Sequence, residues 1–290
     1  MSTYEIRCSS LPLLRKCAAP VKLLAQGDDE TNAPAPIELD PYNPMALVGT
    51  AAHLVMSREV MGEYIESDEA CSVLGVPDED QDEVEYLAFA GRRLWRDHLQ
   101  RHFKGRITAE KRLHWDTQTP SGNVLRLSGQ PDVATVTDDM AIIGDWKFGR
   151  VEGDYSDQGR GYALLYCMHF DVKRARVWIV FPRTGRYRLY EWTLDELHQW
   201  FREQIIPGVL AKISTFAPGP HCEHCPAILV CKPRTQYIQL SVSEMLSADK
   251  GALSIAEALS DPAKRAELAP TIAALWERRG IVKSTIDRFE

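Results

Sequence analysis

The chain has 290 residues, 44% of them hydrophobic and 26% charged, ordinary values for a globular protein with one large core or one core plus an appendage. A formal net charge of −7 argues against a protein that coats nucleic acid through bulk electrostatics, so any such contact must confine its positive charge to a groove. No run approaches the ~20 apolar residues that cross a bilayer, and the opening MSTYEIRCSS lacks a secretory signal, so the expectation is a cytoplasmic protein with no membrane segment.

In chain order, apolar spacing predicts a helix over Ser9–Leu24, interrupted by Pro20 and carrying Cys17. Residues 26–44 hold four prolines among acids and read as a loop. A helix is expected from Gly49 to about Tyr64, with His53 on it. Residues 66–82 are acidic and turn-rich and read as an exposed connection with one short helical turn. A longer helix follows over 83–103, with Val84, Leu87, Leu94, Trp95 and Leu99 as its apolar stripe. Residues 106–116 alternate as a strand bearing Glu110.

The next stretch carries the chemistry. Segments 132–137 and 140–147 flank Thr137-Asp138-Asp139 and read as a hairpin. Residues two apart on a strand share a face, so Asp145 and Lys147 point one way and Trp146 the other. Asp132, from the adjacent strand, completes a Pro-Asp…Asp-x-Lys arrangement. Two carboxylates with open positions suit magnesium or manganese, and a lysine beside them can orient a water and help deprotonate it. The same letters also describe a plain hairpin with solvated acids.

A helix is expected over 155–170, placing Gln158 and Tyr162 one turn apart on one face. Strands over 174–181 and 187–192 flank Pro182-Arg183-Thr184-Gly185 as a second hairpin. A helix capped by Thr193 runs to Ile205, where Pro207 breaks it before a further piece to Ile213. Residues 238–290 are helix-prone and carry no chemical motif. Cations for a groove lie at 101–112, at Arg150 and Arg160, and along the 173–188 hairpin.

Seven cysteines in a chain without a secretory signal do not suggest a disulfide framework. Cys71 and Cys167 read as buried thiols. Cys222-Glu-His-Cys225 followed by Cys231 has the spacing of a metal or cluster site, and His221 and His224 would allow zinc.

Taken in order, Gly49-Thr50-Ala51-Ala52-His53, Glu110, Gly129-Gln130-Pro131-Asp132, Asp145-Trp146-Lys147, Gln158 with Tyr162, and the cysteines at 17, 222, 225 and 231 resemble a known family. It is the RecB-like exonuclease branch of the PD-(D/E)xK nucleases, which includes the AddB nuclease domain, the CRISPR-associated adaptation nucleases and phage relatives. The resemblance implies an α/β, restriction-endonuclease-like core: a mixed central sheet flanked by helices over 1–237, with a helical extension over 238–290. It implies a magnesium- or manganese-dependent DNA exonuclease that prefers single strands or free ends and serves recombination, repair or phage DNA processing. Asp132, Asp145 and Lys147 would be catalytic, with His53, Asp132, Asp145 and the Trp146 carbonyl as metal ligands. Gln158, Tyr162 and Glu110 would position substrate. Cys17, Cys222, Cys225 and Cys231 would hold a [4Fe-4S] cluster, with Cys8 competing for the first place and zinc as the alternative occupant. The extension, 238–290, would serve a protein partner or simply pack on the core as a flank. Two other readings stay open: a nucleic-acid-binding recombination accessory with a vestigial pocket, and a zinc-stabilised structural protein.

Overall fold

The structure is a computed structural model that describes residues 3–18, 44–119 and 122–210, together with positions 218, 219, 222, 225 and 231. The loop expected before residue 44, His221 and His224, and the helices expected over 238–290 lie outside the described residues.

Strand β6 (Met140–Trp146) is buried along nearly its whole length and forms the centre of a five-stranded sheet. It pairs antiparallel with β5 (Val133–Val136), and Thr137 closes the turn by donating its N–H to the Met140 carbonyl at 2.9 Å, so the expected hairpin forms. Helix α5 (Ser156–Phe170) then crosses over to β7 (Arg174–Phe181), which lies parallel to β6. Strand β8 (Arg186–Thr193) returns antiparallel along β7 as the second expected hairpin. With the short β2 (Ile107–Ala109) on the far side of β5, the order is β2-β5-β6-β7-β8.

The strand expected over 106–116 is two strands in two sheets. After β2 the chain turns at Glu110, whose φ of +51° is unusual for a residue with a Cβ. It resumes as β3 (Leu113–Gln118), which pairs with β4 (Val124–Gly129). A strand not foreseen, β1 (Thr3–Arg7), lies parallel to β4 and completes a second sheet of order β1-β4-β3. The single central sheet of the sequence reading is therefore two mixed sheets, and the fold is mixed α/β with helices on the sheet faces.

Alternation along β6 separates two cores. Ala141 and Ile143 face α5, in a cluster with Val177, Leu164 and Leu165. Ile142 and Trp146 face α2 (Pro44–Val60) and α4 (Asp78–Leu94), in a cluster with Met56, Leu87 and Trp95. Helix α5 is buried nearly all round because the two sheets enclose it, which explains its weak amphipathicity in the sequence. Its glycines allow the close approach: a Cβ on Gly161 would stand 2.5 Å from Leu11 Cδ1 and 2.8 Å from Cys8 Sγ.

Other helices depart from expectation for local reasons. Residues 66–82 contain a full helix, α3 (Ser67–Leu74), stopped by Gly75 at φ +68°, a left-handed end that the acidic composition obscured. Of the helix expected over Ser9–Leu24, α1 covers Leu11–Leu14 and Cys17 follows it in a turn, while residues 19–24 lie outside the described residues. Thr193 caps α6 (Leu194–Trp200) reciprocally with Glu196, as expected. Pro207 does not break the chain of helices. A wide turn over Phe201–Ile205, in which the Ile206 N–H reaches back to the Phe201 carbonyl, leads into α7 (Ile206–Leu210).

Alanine for glycine inside a helix normally stabilises by about 1 kcal/mol. At Gly161 the expected result is a loss of about 1–3 kcal/mol in urea unfolding, because the added methyl overpacks the seam with Cys8 and Leu11. The same change in a Cys8→Ala background is expected to cost less, and an equal cost in both backgrounds would refute this packing account.

A candidate metal centre at the end of the central sheet

Hydrophobic pairing of β5 with β6 brings two carboxylates to one end of the sheet. Asp145 is the penultimate residue of β6 and Asp132 immediately precedes β5; they are 3% and 6% exposed. Charges so deeply buried are costly without compensation, and the surroundings supply it. Asp132 Oδ2 accepts the Trp146 N–H at 2.5 Å, and its Oδ1 lies 3.0 Å from His53 Nδ1 on α2. The Lys147 ammonium stands 2.6 Å from Asp145 Oδ2 and 4.8 Å from the centre of the Tyr155 ring. Lys147 is held in place by its own N–H, which donates to the Val180 carbonyl at 2.7 Å. Trp146 turns its ring away into the opposite core, 6.3 Å from the Trp95 ring, as the alternation predicts.

Helix α5 supplies the next contacts. Gln158 Nε2 donates to the Tyr162 hydroxyl at 2.8 Å and lies 3.5 Å from Asp145 Oδ1, while the Tyr162 hydroxyl donates to the Gln130 carbonyl at 3.4 Å. The Gln130 side chain links outward, donating to Glu110 Oε2 at 2.7 Å and accepting from Arg112 Nη2 at 3.0 Å. The turn at Glu110 gains its purpose here. The Glu110 N–H donates to the Asp132 carbonyl, and His53, Glu110 and Asp132 each offer a ligand atom within 4.8 Å of the others.

The protonation states follow from these neighbours. Burial opposes the charge on His53, but the Asp132 carboxylate outweighs it and raises the imidazole above its ordinary value. Burial likewise opposes ionisation of Asp132, yet His53, the Trp146 N–H and Lys147 bring it below the usual carboxylate range. Asp145 is raised, chiefly by burial and also by Asp132, against the pull of Lys147. Glu110 is raised by burial and by Asp132. Lys147 stays above its ordinary value despite burial, because Asp145 and Asp132 face it. An ammonium so held can orient a water and donate to it.

The residues singled out in the hairpin and on the two helices thus converge: His53, Asp132, Asp145, Lys147, Gln158 and Tyr162. Glu110 comes closer than its expected place beside the pocket, in the turn after β2 and among the potential ligand atoms. Sequence reasoning gave no separate role to Gln130, which ties Glu110 to Tyr162; its place just before Pro131-Asp132 was the available signal. Phe148, whose ring meets His53 edge-on at 4.9 Å, and Tyr155 were also missed, and no motif marks them.

The donor set, carboxylate oxygens with one imidazole nitrogen, fits a hard divalent cation. Asp145 Oδ2 is buried, and the Lys147 ammonium at 2.6 Å is the cation that meets its charge.

The cysteines lie elsewhere. Cys222, Cys225 and Cys231 are buried, and the Cys225 N–H donates to the Cys222 carbonyl in a tight turn. Cys17 packs against the core cluster that contains Cys231. Cys8 is wedged instead between Gly129 and Gly161, beside Tyr162. Cys71 and Cys167 are buried thiols, as expected, and burial pushes Cys167 up to about 12.

Among known proteins, the family model described as "Protein of unknown function (DUF2800)" matches residues 40–274. No curated protein matches the chain. Among solved structures, one titled "Crystal structure of SSO0001" aligns over 80% of this chain and 87% of its own, at 11% identity and a TM-score of 0.36, a likeness that carries no argument. Among the described residues no helix is long and apolar enough to cross a membrane.

Removing the ammonium leaves Asp145 buried and uncompensated, so Lys147→Met is expected to cost about 3–5 kcal/mol in denaturant unfolding in chelator. Adding Asp145→Asn is expected to restore most of that loss. A double variant no more stable than the single one would contradict the pairing.

Proposed function

The chain belongs to the DUF2800 family, whose description assigns no activity, and we propose from its metal-centre geometry that it is a magnesium- or manganese-dependent deoxyribonuclease. The reading takes the fold as a PD-(D/E)xK variant and the substrate as DNA, single-stranded or with free ends. The observation that carries it is the convergence of Asp132, Asp145 and Lys147 with His53 at one sheet end. An incidental hairpin with solvated acids would leave its carboxylates exposed, and these are buried.

In this reading His53, Asp132, Asp145 and the Trp146 carbonyl hold the cation, with Glu110 in reach of the same position. When bound, the cation supplies Lewis-acid stabilisation of the phosphoryl oxygens and lowers the pKa of water. The reaction is hydrolysis: a water oxygen bonds to phosphorus, the bond to one sugar oxygen breaks, and the departing oxygen takes up a proton. Lys147, charged and fixed by its backbone bond to Val180, orients that water and stabilises the negative charge that builds on the phosphoryl oxygens. Burial and the Asp145 charge push the Tyr162 phenol well above its ordinary value, so it stays protonated and works as a donor. Gln158 holds Asp145 and Tyr162 in register and places the strand.

The test is cleavage of end-labelled DNA in magnesium or manganese against chelator. Cleavage is expected only with the cation, and Lys147→Gln is expected to slow it about 10²–10³-fold while manganese binding persists. Cleavage in chelator, or an unimpaired Lys147→Gln protein, would reject the mechanism.

The cysteines support a second part of the reading: Cys17, Cys222, Cys225 and Cys231 hold a [4Fe-4S] cluster that joins the two ends of the domain. Cys8 is wedged in the α5 seam between Gly129 and Gly161, which favours Cys17 for the fourth place. Anaerobically purified protein is expected to show broad visible absorbance and bound iron, both lost in Cys17→Ser. Stoichiometric zinc without iron would replace the cluster with the alternative metal.

A further inference from the structure

The face of the central sheet that carries α4 is only partly covered at its β8 edge. Tyr187 and Leu189 on β8 are 41% and 43% exposed, beside the end of α4. Tyr187 belongs to a ladder of rings. It meets Trp178 at 5.0 Å and His98 at 5.9 Å, and Trp178 in turn lies 5.1 Å from His102 at an interplanar angle of 31°. Leu189 stands opposite Trp178 in the strand register and extends the apolar strip.

Charge around this ladder is not that of the chain as a whole. From Arg92 to Arg106 there are six lysines or arginines and one acid, Asp97, in a protein of net charge −7. Arg92 and Arg96 are neutralised by Glu59, and Arg93 by Asp97. Arg101, Lys104 and Arg106 are exposed and make no ion pair among the described residues. Arg101 Nε lies 3.4 Å from His102 Nε2, and burial, then the charges of Arg101, Arg176 and Lys104, hold that imidazole below its ordinary value; of these cations Arg176 is paired with Glu191 at 2.6 Å. The pocket is close. Tyr187 stands opposite Val180, whose carbonyl accepts the Lys147 N–H, so the platform begins two strands, about 10 Å, from the strand that carries Asp145.

We propose that this face, formed by Tyr187, Leu189, His98 and His102 with Arg101 and Lys104, is a stacking platform for an unpaired nucleic-acid strand. It deepens the nuclease reading, and rests on it for the strand's destination in the metal centre. Exposed rings flanked by unneutralised cations match the two needs of such a strand: a surface for base faces and charge for the backbone. A duplex keeps its base faces stacked inside and has no use for the rings. A protein partner fits less well, because interface cores are depleted of lysine and Lys104 stands here without an ion pair among the described residues.

Binding is measured on the full chain in chelator, where no cleavage occurs, by fluorescence anisotropy of oligo(dT), oligo(U) and a blunt duplex of equal length. Either single strand is expected to bind at least tenfold more tightly than the duplex, and the tighter of the two names the sugar. Tyr187→Ala is expected to weaken binding about tenfold, and Tyr187→Phe to bind as the wild type does. Arg101→Ala with Lys104→Ala is expected to reduce the slope of log affinity against log salt by about 1.4. Wild-type affinity and slope in Tyr187→Ala and in the double variant would overturn the platform, even if cleavage still required Lys147. So would a dimer that Tyr187→Ala dissociates in a protein that binds no oligonucleotide, which would make the face a contact between copies. Loss of metal-dependent cleavage with binding intact would sink the nuclease reading and leave the platform standing.

Discussion

Two carboxylates buried at the end of one β-hairpin set the terms for the rest of this fold. Each would be too costly to keep ionised alone, and each is met by a different element: Asp132 by the Trp146 N–H and by His53 from α2, Asp145 by Lys147 from its own strand end. The compensation is uneven. Burial holds Asp145 above its ordinary value despite Lys147, while His53, the Trp146 N–H and Lys147 bring Asp132 below its own despite burial.

The architecture supplies the precision this arrangement needs. Asp145 and Lys147 are fixed by the β6–β7 pairing, whose last bond runs from the Lys147 N–H to Val180. His53 is fixed by α2, which packs through Ala52 and Met56 onto the same face as Trp146. Gln158 and Tyr162 come from the opposite side, on a helix enclosed by two sheets and drawn in at Gly161. The site therefore lies where both cores meet the sheet end, and none of its parts depends on an exposed loop except Glu110, which sits in a strained turn between sheets. Strain of this kind persists only where surrounding contacts enforce it, here the hydrogen bonds to Asp132 and Gln130.

Much of the site was legible because its logic is local. Alternation along 140–147 gave the faces of Asp145, Trp146 and Lys147, and four-residue spacing gave the shared face of Gln158 and Tyr162. His53 could be placed only through the ordered resemblance, since one histidine on a helix says nothing by itself. What stayed hidden was non-local. The 106–116 run alternates on both sides of Glu110-Lys111-Arg112, and that one charged lapse in the pattern was its only sign of a corner between two sheets. Strand β1 carries five residues and pairs with β4 more than a hundred residues away, a contact no short pattern encodes. The charge of Lys147, held against burial chiefly by the local Asp145, is also favoured by Asp132, which arrives from beside another strand.

The central claim is that His53 and the two aspartates share one cation. It is tested most directly by electron spin-echo spectroscopy of the manganese-loaded full-length protein. The account predicts modulation from one directly bonded imidazole nitrogen, absent in His53→Ala. Manganese that binds with no nitrogen coupling, or coupling that survives His53→Ala, would contradict it.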